Sequence, residues 1–153
     1  MIIADRHAVF SFMAPRIGLT WSTDFRGMMH VPDKFRGSLT SRDHVAAAFG
    51  FNNFVGRTAC VHVVVQDPTK LTRGFMNEVF EHAYNVCGLV ALFVTIDSTN
   101  TKSMEFATRS GAWEMLRVPE GGLDGDLVVY KMTKAGCRFL KENEHGKRLA
   151  RTA

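Results

Sequence analysis

Residues 59–112 read ACVHVVVQDPTKLTRGFMNEVFEHAYNVCGLVALFVTIDSTNTKSMEFATRSGA. Ala59 to Gln66 is an apolar run with strand character, stopped by Asp67-Pro68-Thr69. Leu71, Phe75, Val79 and Ala83 then fall on one helical stripe, with Met76, Phe80, Tyr84 and Cys87 beside it. So wide an apolar face is suited to lie on a sheet. Gly88 stands where a helix would end. Leu89 to Ile96 is nearly all apolar, as expected of a strand covered on both faces. Asp97-Ser98-Thr99-Asn100 opens a further helix that ends at Gly111. A β-α-β unit of this kind makes a pocket where the first strand ends and the helix begins. Backbone N–H groups at a helix start favour phosphate there.

Outward from this unit, Val45 to Phe51 is compact and apolar and closes at Asn52-Asn53. With Ala59 to Gln66 it forms an expected antiparallel pair, turning through Val55-Gly56-Arg57. Asp5 to Ile17 has helical spacing at Ala8, Val9, Phe12 and Met13, with Pro15 in its last turn. Gly27 to Val31 reads as a short strand, and Lys34 to Asp43 as a loop or lid. Ala112 to Val118 and Leu127 to Met132 make a closing hairpin, after which residues 134–142 are expected to form a short helix. The sum is an α/β fold, a mixed sheet with helices on both faces in a single domain spanning residues 1–142, its core at 44–133.

Composition narrows the function classes. The 153 residues, 46% hydrophobic, suffice for one globular domain. No apolar run reaches the length of a membrane span. Met1 to His7 has no secretory-signal pattern, and Cys60, Cys87 and Cys137 are an odd number without metal-type spacing. Buried thiols in a reducing cytoplasm are the expectation. The formal charge is +4, but Lys131 to Ala153 holds seven Lys/Arg against two Glu, leaving the rest of the chain at −1. The basic tail, 143–153, with Lys147, Arg148 and Arg151, is expected to be a solvated end; nucleic-acid binding is the less favoured alternative.

The order and spacing of residues 44–133 resemble the GNAT superfamily of N-acetyltransferases. The resemblance implies a mostly antiparallel sheet flanked by helices, acetyl-CoA as cosubstrate, and an amine on a small molecule or protein as acceptor. In that superfamily pantetheine pairs with exposed backbone at the end of a splayed strand, which here would be Val64, Val65 and Gln66. The following loop carries a glycine-rich phosphate cradle. Here it falls on Lys70, Leu71, Thr72, Arg73 and Gly74, where only Gly74 is small and Lys70 and Arg73 supply charge. Asn100 and Ser103 match the family's helix start that holds the cofactor arm; Asn100 equally suits a plain helix cap. Ala107 replaces the tyrosine that often protonates the departing thiolate.

A base must also free the amine of its proton. No Asp or Glu lies between His44 and Gln66, and His62 is the titratable side chain on the candidate strand. It reads either as that catalytic base, near Asn52 and Asn53, or as a hydrogen-bonded core histidine. Short motifs (Asn53-Phe54, Val61-His62-Val63, Gly125-Asp126-Leu127 and Cys137-Arg138-Phe139-Leu140) are similar to those of small phage-encoded GNAT-like proteins. That similarity implies an alternative role as an inactive virion or host-interaction component, with phage virion proteins as partners.

Overall fold

The computed structural model describes residues 1–33 and 44–143. The loop or lid expected at Lys34 to Asp43 and nearly all of the basic tail lie outside the described residues. The sheet is mixed and mostly antiparallel, with seven strands in the order β1-β2-β3-β4-β5-β7-β6. Two compact units divide the chain: Met1–Val55 with Ala59–Val79, and Gly56–Thr58 with the residues from Phe80 onward.

In the first unit, β1 (Ile2–Ile3) and β2 (Arg26–His30) flank helix α1 (Arg6–Ile17), and β3 (Ala47–Val55) and β4 (Thr58–Val65) follow. The Asp5 carboxylate accepts the Ala8 N–H at 2.8 Å, which starts α1. The helix runs through the exposed Pro15 to Ile17 and ends at Gly18, whose φ of 65° closes it. Val9, Phe12 and Met13 face inward onto Phe25, Met29, Val31, Val45 and Ala48. The close approach depends on a cross-strand glycine pair, Gly27 opposite Gly50. A Cβ on Gly27 would stand 2.6 Å from Val9, and one on Gly50 2.6 Å from the Phe25 ring. Removing both side chains from the sheet makes room for larger ones from the helix and from the chain before β2.

The strand expected to close at Asn52-Asn53 continues to Val55. Two features carry it on. Asn53 takes a left-handed φ of 53°, which asparagine tolerates better than most residues, and the Asp24 carboxylate accepts the Phe54 N–H at 2.9 Å. Gly56, at φ 57°, then makes the turn. The helix stripe expected from Leu71 also starts later. Asp67 caps a 3-10 turn, Pro68–Lys70, and α2 begins at Arg73, so Leu71 precedes the helix.

α2 (Arg73–Glu81) continues into a wider π turn, His82–Val86, which ends just before Gly88 at φ 67°. The second unit then holds β5 (Ala91–Asp97), α3 (Thr101–Ser110), β6 (Trp113–Val118) and β7 (Leu127–Thr133). β5 pairs antiparallel with β7 from Ala91↔Thr133 to Asp97↔Leu127. β5 is less enclosed than its composition implies, because Thr95 is exposed and Phe93 and Val94 are half-buried. Tyr84 donates its hydroxyl to the Met132 carbonyl at 2.8 Å, and Phe80 stacks on Phe139.

The short helix expected over 134–142 is a series of turns up to Leu140. Cys137 still makes a helical bond back to Thr133, but Arg138 gives its N–H to the Ser110 carbonyl instead of to Lys134, which breaks the series after one turn. Cys137 and Leu140 are nonetheless buried. Of the thiols expected to be buried, Cys60 and Cys87 are half-buried.

Candidate functional site

β4 places His62 where alternation puts it, between the buried Val61 and the half-buried Val63. Its Nε2 lies 2.8 Å from the side-chain oxygen of Asn52 on β3. An amide oxygen only accepts, so Nε2 carries the hydrogen and Nδ1 keeps its lone pair. Burial pushes the His62 pKa below its ordinary value, so the ring is neutral at neutral pH. A neutral imidazole with its tautomer set by a buried amide is a competent proton acceptor. It is equally a satisfied half-buried histidine. Asn53, whose side chain is exposed, stands beyond Asn52 on the same strand.

The end of β4 is held by the protein itself. Gln66 and Asp67 both give their N–H to the Ala46 carbonyl, at 2.8 and 3.1 Å. The Gln66 side chain donates to the Val45 carbonyl at 2.7 Å and accepts from Arg16 at 3.0 Å. Val64 packs against the α1 cluster. These contacts give Gln66 a structural task, and Val65 is half-buried beside it.

Beyond the Pro68–Lys70 turn, the Thr72 hydroxyl accepts the Phe75 N–H at 3.2 Å and starts α2. Lys70 and Arg73 are exposed on either side of that cap. A Cβ on Gly74 would meet nothing within 4 Å, so the first turn of α2 is open to an approaching group. Two cations, a helix start and open space suit a phosphate in charge and access. The close cradle that several glycines would build is absent, since Leu71 is half-buried and Thr72 is committed to the cap.

The sequence drew no attention to His30, at the end of β2. Its ring stacks on Phe75 at 5.2 Å and bonds to the Lys70 backbone. Its Nδ1 is buried without a partner, the one such side-chain atom among the described residues. Burial lowers its pKa and the N-terminal ammonium lowers it further, against the Lys70 carbonyl and Asp33. Nothing local in the sequence marks this residue, because its neighbours come from β2, the 3-10 turn and α2.

The second unit carries the other motif. The Asn100 side chain accepts the Ser103 N–H at 3.2 Å and caps α3. Asp97 and Ser98 are engaged elsewhere: they fasten the loop between β6 and β7. Asp97 accepts the N–H groups of Asp124 and Gly125 at 2.9 and 3.3 Å, and Ser98 accepts that of Asp126 at 2.9 Å. The Asp124 N–H, then the Thr99 hydroxyl and N–H, hold the Asp97 carboxyl far below the usual carboxylate range. Ala107, where the resemblance expects tyrosine, is buried. Both tyrosines of the chain, Tyr84 and Tyr130, are buried as well. No group of three or more potential metal ligands occurs among the described residues. No helix among them is long and apolar enough to cross a membrane.

No protein-family profile matches the sequence, and no curated protein is significantly similar to it. Solved structures do resemble the fold. A point mutant of the spermidine N-acetyltransferase SpeG from Vibrio cholerae superposes with a TM-score of 0.69 at 10% identity, covering 93% of this chain and 98% of that one. The spermidine/spermine N-acetyltransferase SpeG from Vibrio cholerae in complex with manganese ions gives 0.66 at 11% identity, covering 100% and 96%. A chimera of SpeG and hSSAT gives 0.65 at 12% identity, covering 88% and 95%. At such identities the likeness establishes the fold, which is GNAT-like, and leaves the chemistry to the residues.

Proposed function

We propose that this protein is an acetyl-CoA-dependent N-acyltransferase that moves an acetyl group to an amine acceptor. The observation that carries the reading is the His62–Asn52 pair, 2.8 Å apart, on the strand that leads into the α2 helix start. Lys70, Arg73 and Gly74 are assigned to the cofactor phosphates, with Leu71 and Thr72 shaping the loop. Val64, Val65 and Gln66 are assigned to its pantetheine arm, and Asn100 and Ser103 to the α3 end of that arm. Acetyl-CoA supplies the acyl group as a thioester, which an amine can attack once it is unprotonated.

His62 receives the amine proton on Nδ1 while Asn52 holds Nε2–H. The resulting imidazolium keeps its donor bond to the Asn52 oxygen, so the pair stabilises both protonation states. With alanine at 107, this chain offers no tyrosine there to protonate the leaving thiolate, and the proton comes from solvent. Spermidine and spermine belong first in the acceptor screen, because the structural neighbours are named for them.

Calorimetric titration with acetyl-CoA and CoA tests the reading, beside Arg73→Glu and Asn100→Ala. Micromolar binding weakened by both substitutions, followed by loss of transfer in His62→Ala with binding kept, is the expected result. No heat and no thermal stabilisation at millimolar CoA would overturn it. The eroded cradle and the buried Ala107 favour one other reading in that event: a fold kept for a non-enzymatic role, as in a virion or host-interaction component.

A further inference from the structure

β6 is the last strand of the sheet order, and all six of its residues are exposed. Four of them are apolar: Trp113, Met115, Leu116 and Val118, between 40% and 52% exposed. A protein that must keep such an edge unpaired usually blunts it with lysine, proline, an inward charge or a bulge, and of these β6 has only the one irregularity between Glu114 and Leu116. β6 carries two charges, Glu114 and Arg117, and their placement is symmetrical.

Pairing with β7 sets the faces. Trp113, Leu116 and Val118 stand opposite Lys131, Val129 and Leu127, on one face. Glu114 and Arg117 stand opposite Tyr130 and Val128, on the other. Met115 is the extra residue where the register shifts. The apolar side chains thus form a row, with the two charges behind it. Glu114 and Arg117 meet each other at 2.9 Å, and Arg117 reaches Asp126 at 3.5 Å.

Read in both directions, Trp-Glu-Met-Leu-Arg-Val is self-complementary. Laid antiparallel on a second copy about a two-fold axis between Met115 and Leu116, Trp113 faces Val118, Glu114 faces Arg117, and Met115 faces Leu116. Each pair occurs twice, as an isologous contact requires. Opposite residues of an antiparallel pair share a face, so the apolar row doubles in length and two Glu–Arg pairs form behind it. Any shift of register by two residues sets an apolar side chain against a charge or leaves the row half covered.

We infer that β6 pairs with β6 of a second copy of this chain, joining two sheets across a two-fold axis. Six residues a side fall well short of the roughly 20–30 a side of a stable complex, so the dimer is weak and concentration-dependent. Glu114 exchanges its own Arg117 for that of the second copy, and the apolar row leaves water.

Sedimentation velocity from low micromolar to several hundred micromolar protein tests this. The wild type is expected to shift from monomer to dimer over that range. Glu114→Arg alone and Arg117→Glu alone each set like charges opposite each other twice, and each is expected to weaken the dimer about tenfold or more. The double variant, Glu114→Arg with Arg117→Glu, restores both pairs and is expected to recover wild-type association. Amide exchange read on the unsubstituted protein guards against variants that misfold: β6 amides are expected to gain protection at high concentration. A monomer at every concentration, with the row left to some other partner, would overturn the inference. So would a dimer indifferent to all three variants, or β6 amides unchanged by concentration.

Discussion

Replacing Gly111 with alanine probes how α3 is joined to β6 and to the turns after β7. Gly111 ends α3 at φ 106° and ψ 8°, and its N–H reaches the carbonyls of Ala107 and Thr108. An added Cβ would stand 2.9 Å from the Gly136 carbonyl carbon, and nearer still to its oxygen. That carbonyl cannot swing aside freely, because Gly136 and Cys137 bond to Thr133 on one side and Arg138 bonds to Ser110 on the other. Gly88 supplies the control. Its φ is 67° and a Cβ there meets nothing within 4 Å, so Gly88→Ala bears only the left-handed conformation, about 1–2 kcal/mol. Gly111→Ala bears at least that, plus an overpacking cost of about 1–3 kcal/mol. The expected losses are therefore about 2–5 kcal/mol for Gly111→Ala against about 1–2 for Gly88→Ala. Urea unfolding of the two variants, with the wild type, measures the difference at a common denaturant slope. At about 2–4 °C per kcal/mol for a chain of this size, Gly111→Ala melts visibly lower. Equal losses for the two variants would show that residues 134–138 do not close over the end of α3 as described.

Three further outcomes are expected. Asn100→Ala removes the α3 cap and costs about 1 kcal/mol of stability, while Asn100→Asp keeps the cap. If Asn100 also holds the cofactor arm, Asn100→Asp still weakens acetyl-CoA binding, and unchanged affinity would reduce the residue to a cap. Because burial lowers the His62 pKa in the folded state, the unfolded chain takes up that proton first as pH falls. Stability is then full above about pH 6.5 and declines below it, towards the folded pKa, by at most about 1.4 kcal/mol per pH unit for this group. His62→Gln should flatten that part of the profile; an unaltered slope would assign it to other groups, His30 foremost. Tyr84→Phe deletes the buried hydroxyl bond to Met132 and is expected to cost about 1 kcal/mol, read as a melting point about 2–4 °C lower. No shift would mean that the carbonyl finds another donor.

The elements whose periodicity is strong are legible in the amino-acid sequence by itself. Phe75, Met76, Val79 and Phe80 mark the buried face of α2, and Val9, Phe12 and Met13 that of α1. The final hairpin falls where its alternation and glycine-rich loop place it. His62 also stands out in the sequence, because it interrupts an apolar strand otherwise free of charge. Spacing and residue type suffice in these cases because the forces that decide them act within one element.

What tertiary structure alone decided is of another kind. The Asn52 oxygen on the His62 ring, the His30 ring on Phe75, and Asp97 pinning the 124–126 loop each join residues 10 to 45 positions apart. The continuation of β3 past Asn53 rests on Asp24, and the missing helix at 134–140 on the Arg138 amide drawn to Ser110. Local propensity is silent about such choices. A hydrogen bond or a packed ring is worth about as much as the preference it overrides, and its partner is named only when the chain has folded.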